Sequence, residues 1–134
     1  MKLRYFMLSE FSSPDDKTSY KKMDPKFLEF IDELRHRCGF GFYITSGFRT
    51  KAYHDSLTKR GYHTIPNSAH LKGLAADVRI TDAKKRAMFI GHALEMCSDM
   101  NLPFRVGISG GKGKGSFCHI DIDETKSNPR VWVY

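Results

Sequence analysis

Two short stretches, AADVRI at residues 75–80 and FCHIDID at residues 117–123, alternate apolar with ionisable residues at a period of two. That period belongs to a β-strand with one buried face, because successive side chains point to opposite sides of the pleat. Ala76, Val78 and Ile80 then share one face, with Ala75, Asp77 and Arg79 on the other. Likewise Cys118, Ile120 and Ile122 oppose Phe117, His119, Asp121 and Asp123. Strands with one apolar face need a covering layer, and the rest of the chain supplies helices for it.

Asp24 is a natural N-cap with Pro25 at the first helical position, and Phe27, Ile31 and Leu34 recur at helical spacing until Gly39 stops the pattern. A second helix is predicted over residues 51–60, ended by Gly61. A third starts at Thr81 or Asp82, with an apolar face of Ala83, Ala87, Ile90, Leu94 and Cys97 widened by Phe89 and Met96. Further strands are read at residues 42–45, 104–108 and 131–134. Residues 9–22, rich in Ser, Asp, Lys and Pro, read as a surface connection, and residues 61–73 as a long irregular loop. This order predicts a single α+β domain over residues 1–134, with a small, mostly antiparallel sheet and helices packed on one side. A length of 134 residues with 40% hydrophobic content suits one core.

The net charge of +7 favours an anionic partner: nucleic acid, a membrane surface or an acidic wall polymer. Cys38, Cys97 and Cys118 are odd in number and far apart, which argues against a disulfide framework and a cysteine-rich metal site and predicts reduced core thiols. No stretch is long and apolar enough to span a bilayer, so no membrane insertion is expected. The apolar residues near the N-terminus are interrupted by Arg4, Ser9 and Glu10, so no signal peptide is expected.

Asp77 lies among alanines and valine, where a carboxylate costs free energy unless it is paired or bound to a cation. His70 precedes Gly73, whose turn can fold the loop back towards the strand carrying Asp77. His70, Asp77 and His119 are thus a credible set of three metal ligands with a fourth position open for water. The plain alternative is a loop histidine, an Asp77 paired with Arg79 or Lys72, and a satisfied interior His119. Spacing alone does not decide between them.

The elements SGFRT (residues 46–50), NSAHLKGLAAD (67–77) and FCHID (117–121) together resemble the zinc D-alanyl-D-alanine carboxypeptidase family of peptidoglycan peptidases. The opening YFMLSEFSSPDD, the helix MDPKFLEFIDELR and the ending RVWVY look like the short, single-domain versions encoded by bacterial phages. The resemblance implies the small α+β fold shared with the hedgehog signalling domain, one Zn2+ held by His70, Asp77 and His119, and an Arg49 that engages the substrate. Ser68 becomes a substrate-contacting or ligand-supporting hydroxyl. Many family members carry an acid three residues before the last zinc histidine, where this chain has Ser116. Asp121 is therefore the expected general base or orienting group. Also implied is metal-assisted hydrolysis of a peptide bond in peptidoglycan stem peptides or cross-links, of carboxypeptidase or endopeptidase type. Such an endolysin-like monomer would be made in the host cytoplasm and act on the bacterial cell wall. His54 stands where related sequences tend to have asparagine, and its role is open.

Other readings are weaker. The loop GISGGKGKGS (107–116) lacks the glycine spacing of a P-loop and reads as a mobile hairpin loop near the cleft. Basic residues are scattered without a recognition motif, so no nucleic acid partner is expected. An iron oxygenase needs a histidine after His119, and none follows. A metal-binding domain of the same fold that has lost catalysis is the main alternative.

Overall fold

The computed structural model describes residues 1–111 and 115–134. Part of the glycine- and lysine-rich loop read as mobile, residues 112–114, lies outside the described residues.

Helix α1 (Pro25–Cys38) begins where the Asp24 side chain accepts from the Lys26 N–H and ends at Gly39, whose φ of 74° is left-handed. Its Phe27, Phe30, Ile31 and Leu34 are fully buried. Helix α2 (Lys51–Lys59) is capped by Thr50, and α3 (Ala83–Met100) by Asp82. Strands β1 (Tyr43–Ser46), β2 (Ala75–Arg79), β3 (Arg105–Gly110), β4 (Ser116–Asp121) and β5 (Arg130–Val133) form one sheet in the order β1-β2-β4-β3-β5. All pairings are antiparallel except β3 with β5. The architecture is the expected α+β one with a mostly antiparallel sheet. Ala76, Val78, Val106, Cys118 and Ile120 form the core face, against which α1 and α3 pack.

Two local expectations are corrected. Residues 9–22 are not merely a surface connection. They carry short 3₁₀ turns at Leu8–Phe11 and Ser19–Lys22, and Phe11, Ser13 and Ser19 are buried. Phe11 lends its carbonyl to the Phe48 N–H at 2.8 Å, and Asp15 accepts from Thr50 Oγ1 at 2.6 Å, so this segment braces the loop before α2. The buried stripe of α3 is also rotated. Phe89, Ala93, Met96 and Cys97 face the core, whereas Leu94 is 50% exposed and Ala83 and Ala87 lie on the solvent side. Phe89 meets Phe42 at a ring separation of 5.4 Å, a long-range contact that local apolar periodicity does not encode.

All three cysteines are free and buried. Burial pushes the Cys38 thiol up to about 12 and those of Cys97 and Cys118 to about 11, so they are inert core groups. Among the described residues no helix is long and apolar enough to cross a membrane.

Candidate metal centre

Register places the ionisable residues in two neighbouring cross-sheet rows on the face away from α1 and α3. The first runs Ser46, Asp77, His119, Gly107, Trp132 from β1 to β5. The second runs Ala75, Asp121, Arg105, Arg130. Side chains two residues apart on a strand share a face, so both rows line one cleft of about 1260 Å³. Gly107 lets the first row close up: a Cβ there would meet the Trp132 indole at 2.6 Å. The Trp132 ring accordingly sits 5.5 Å from that of His119, centroid to centroid.

His70 reaches the first row from a 3₁₀ turn, Ala69–Lys72, capped by the Ser68 side chain, which accepts from the His70 N–H. The turn ends at Gly73, with φ of 70°, and a Cβ at that position would lie 2.3 Å from the Lys22 carbonyl oxygen. Only glycine meets both demands. The loop after β1 then clamps the histidine: His70 Nδ1 donates to the Gly47 carbonyl at 2.7 Å, and the Arg49 N–H donates to the His70 carbonyl at 3.1 Å. Because a carbonyl can only accept, Nδ1 carries the proton and Nε2 turns a lone pair towards β2 and β4.

His119 is oriented from its other side. Its Nε2 donates to Asp121 Oδ2 at 2.7 Å, so the Nδ1 that faces Asp77 is the nitrogen that would give up its proton to a metal ion. Three potential ligand atoms thus converge. His70 Nε2 lies 3.2 Å from His119 Nδ1, His119 Nδ1 lies 3.0 Å from Asp77 Oδ1, and Asp77 Oδ1 lies 3.3 Å from His70 Nε2. Ligand atoms about 2.0 Å from a tetrahedral metal ion are about 3.3 Å apart, so this triangle has the size of one face of such a site. The three residues, all buried, could hold a metal ion. They are the three that the sequence resemblance singled out.

The electrostatics point the same way. Burial opposes charge on Asp77, but His70 and His119 outweigh it and hold the carboxyl well below the usual range. Burial pushes His70 down. Burial would lower His119 too, but its hydrogen bonds with Asp121 and Asp77 prevail and raise it to about 9. Negative charge around His119 therefore favours a cation at this point.

The remaining expected residues lie around the triad. Arg49 donates through Nε to Ser46 Oγ at 3.0 Å and places Nη2 3.5 Å from Asp77 Oδ2. Ser68 lies in the cleft wall beside His70. Asp121 is fully buried, and both oxygens are engaged: Oδ2 by His119, and Oδ1 by Arg105 Nε at 2.9 Å and the Asp123 N–H at 3.1 Å. With three donors already on its two oxygens, Asp121 is better placed to orient His119 than to act as the general base also expected of it. Ser116 Oγ donates to the Ile80 carbonyl, a structural bond at the head of β4. His54 is buried on α2, and its Nε2 donates to the Ile65 carbonyl at 2.9 Å, tying the 61–68 loop to the helix.

Arg105 and Trp132 line the cleft beside the triad and were passed over by sequence reasoning. Arg105 is hidden because its partner is set by the register of β3 on β4. The only local signal for Trp132 was the RVWVY ending, whose parallel pairing brings the indole onto Gly107.

Comparison with known proteins agrees with this description. Residues 5–121 match the family model described as Peptidase M15, and the chain belongs to that peptidase family. The crystal structure of the Serratia marcescens L-Ala D-Glu endopeptidase ChiX shares the fold, with a TM-score of 0.59 over 76% of this chain and 81% of that one at 17% identity. No curated protein matches the sequence.

Proposed function

We propose that this chain is a zinc-dependent peptidase that cleaves a peptide bond within bacterial peptidoglycan, as an endopeptidase rather than a carboxypeptidase. The observation that carries the reading is the triangle of His70 Nε2, Asp77 Oδ1 and His119 Nδ1, with sides of 3.0 to 3.3 Å, at the floor of an open cleft. Nitrogen and carboxylate ligands at tetrahedral spacing suit zinc, and three protein ligands leave a position for water or substrate. Zinc bound there supplies Lewis-acid polarisation of a carbonyl and activates water near neutral pH.

The chain's own residues do the rest. Asp121, held by Arg105, fixes the tautomer and ring plane of His119 and raises its basicity as a ligand. Gly47 does the same for His70 through its carbonyl. Arg49, with only 13% of its side chain exposed, aims its guanidinium into the cleft, where it can hold a carboxylate or support a developing oxyanion. Among the described residues the carboxylates that line the cleft are Asp77, a proposed ligand, and Asp121, which holds His119, so the proton leaving water would pass to solvent rather than to a dedicated glutamate.

The endopeptidase preference rests on the shape of the cleft. It continues on both sides of the triad, from Tyr53 and Leu57 of α2 to Trp132 and Tyr134 at the far edge, more room than a terminal dipeptide needs. The similar Serratia protein is an L-Ala D-Glu endopeptidase, which makes that link the first to test. The basic net charge of +7 suits an anionic wall as the place of action. Mass spectrometry of purified peptidoglycan digested with the zinc-loaded protein tests the proposal. New peptides ending at one defined bond, absent with His70→Ala or His119→Ala, are expected. An unchanged product profile in those variants would sink it.

A further inference from the structure

Beyond the triad, the cleft wall at the β3–β5 side is cationic in a way that the metal centre does not use. We infer that Lys126 and Arg130 form an anion site that binds a free carboxylate of the substrate peptide, on the opposite side of the scissile bond from Arg49. This inference rests on the peptidase reading and names a specificity determinant for it.

Lys126 follows the β4 strand and lines the cleft with only 11% of its side chain exposed. An ammonium so enclosed normally has close acceptors. Its nearest carboxylate is Asp123 Oδ2 at 3.6 Å, beyond hydrogen-bond distance, and that oxygen already accepts from Lys72 at 2.9 Å. Among the described residues Lys126 Nζ makes no hydrogen bond. Burial lowers its pKa and outweighs the opposing pull of Asp121 and Asp123. Arg130 stands at the exposed end of the Ala75–Asp121–Arg105–Arg130 row and also lines the cleft. Among the described residues its side chain makes one hydrogen bond, a long one of 3.4 Å to Ser127 Oγ, and its guanidinium lies 5.8 Å from the Trp132 ring centroid. Asp121 is already neutralised by Arg105. This corner therefore holds two cations that share little carboxylate charge: Lys126 has Asp123 at 3.6 Å, a carboxylate bonded more closely by Lys72, and Arg130 has no carboxylate within ion-pair distance among the described residues.

The sheet order sets the geometry of recognition. Arg49 follows β1, the triad's His119 and Asp77 sit on the central β4 and β2, and Arg130 begins the opposite edge strand β5. A peptide crossing the triad would meet a cation at each end. Peptidoglycan stem peptides carry a free carboxylate on their glutamyl residue in some walls and its carboxamide in others. The cleft should discriminate between them, because a buried lysine rewards a charge and leaves a carboxamide poorly matched.

The test compares two synthetic stem peptides that differ only in a free glutamyl carboxylate or its carboxamide, using zinc-loaded wild type, Lys126→Met, Arg130→Gln and Lys126→Arg. Wild type should show kcat/KM about tenfold or more higher on the carboxylate peptide. Lys126→Met and Arg130→Gln should each lower that value about tenfold, leave the carboxamide peptide within about twofold, and so erase the preference, while Lys126→Arg retains most of it. Arg130 is exposed, so its variant remains informative even if Lys126→Met folds poorly. Equal cleavage of both peptides by wild type, or equal losses on both in Arg130→Gln, would overturn the anion site and leave the peptidase reading standing. If wild type cuts neither peptide, calorimetric binding of the same pair decides. A carboxylate preference that Arg130→Gln removes upholds the site and rejects the peptidase reading, and binding without preference rejects the site.

Discussion

Asp121→Asn separates the orienting role of this aspartate from service as a base. The substitution keeps the shape but removes the charge that receives His119 Nε2 at 2.7 Å and Arg105 Nε at 2.9 Å. A carboxylate behind a metal-binding histidine is worth about 10- to 100-fold in metal affinity, which corresponds to about 1.4–2.7 kcal/mol. Leaving the buried Arg105 without its counter-ion adds a separate stability loss of about 3–5 kcal/mol. The two effects are read by different assays. Zinc affinity, measured by competition with a chromophoric chelator at a temperature where the variant is folded, should weaken about 10- to 100-fold, and hydrolysis at saturating zinc should recover much of its rate. Scanning calorimetry should report the lower stability independently. A variant that binds zinc within about twofold of wild type yet loses hydrolysis about 10⁴-fold or more at saturating zinc would refute the orienting account and make Asp121 the base.

Other perturbations test neighbouring parts of the account. Gly73→Ala must place a Cβ 2.3 Å from the Lys22 carbonyl oxygen at a φ of 70°, so thermal unfolding should show a loss of at least about 1–3 kcal/mol, with weaker zinc binding because His70 shifts. On α3, Leu94→Ser should change stability by no more than about 0.5 kcal/mol, while Phe89→Ala should cost about 3–5 kcal/mol in urea unfolding; comparable losses would restore the stripe first read from the sequence. Burial alone would raise the Asp123 carboxyl, but hydrogen bonds from Lys72 and Thr125 lower it to about 2 from a reference of 3.8. The stability it contributes is therefore complete above about pH 4 and lost as pH falls through about 2, so Lys72→Met should move the acid-unfolding midpoint to higher pH. Circular dichroism against pH checks this, and an unchanged midpoint would exclude the contribution.

Local signals carried much of this structure. The Asp24 cap, Pro25 and Gly39 bracket α1 because each acts within its own turn, and the two-residue alternation in β2 and β4 separates core from cleft without reference to any other strand. Asp77 and His119 stood out for the same reason, since a carboxylate and a histidine on otherwise apolar strands demand compensation, but it was the family resemblance that joined His70 to them as a ligand set. What stayed hidden depends on contacts between distant segments. The stripe of α3 is chosen by Phe42 and the sheet, not by the count of apolar residues around the helix. Phe11 is buried because it packs with Phe6 and supports the loop at Phe48, in a segment whose composition is that of a surface connection. The role of Asp121 turns on Arg105, sixteen positions earlier in the chain, which becomes its neighbour only through the β3–β4 register.

The central claim is that one zinc ion, held by His70, Asp77 and His119, is required for peptide-bond hydrolysis. The most direct measurement titrates chelator-stripped protein with zinc while following release of peptide from purified peptidoglycan. The account predicts negligible hydrolysis at the start, a linear rise, and a plateau at about one equivalent of zinc per chain. Full hydrolysis by the stripped protein, or the same titration curve from His70→Ala, would contradict it.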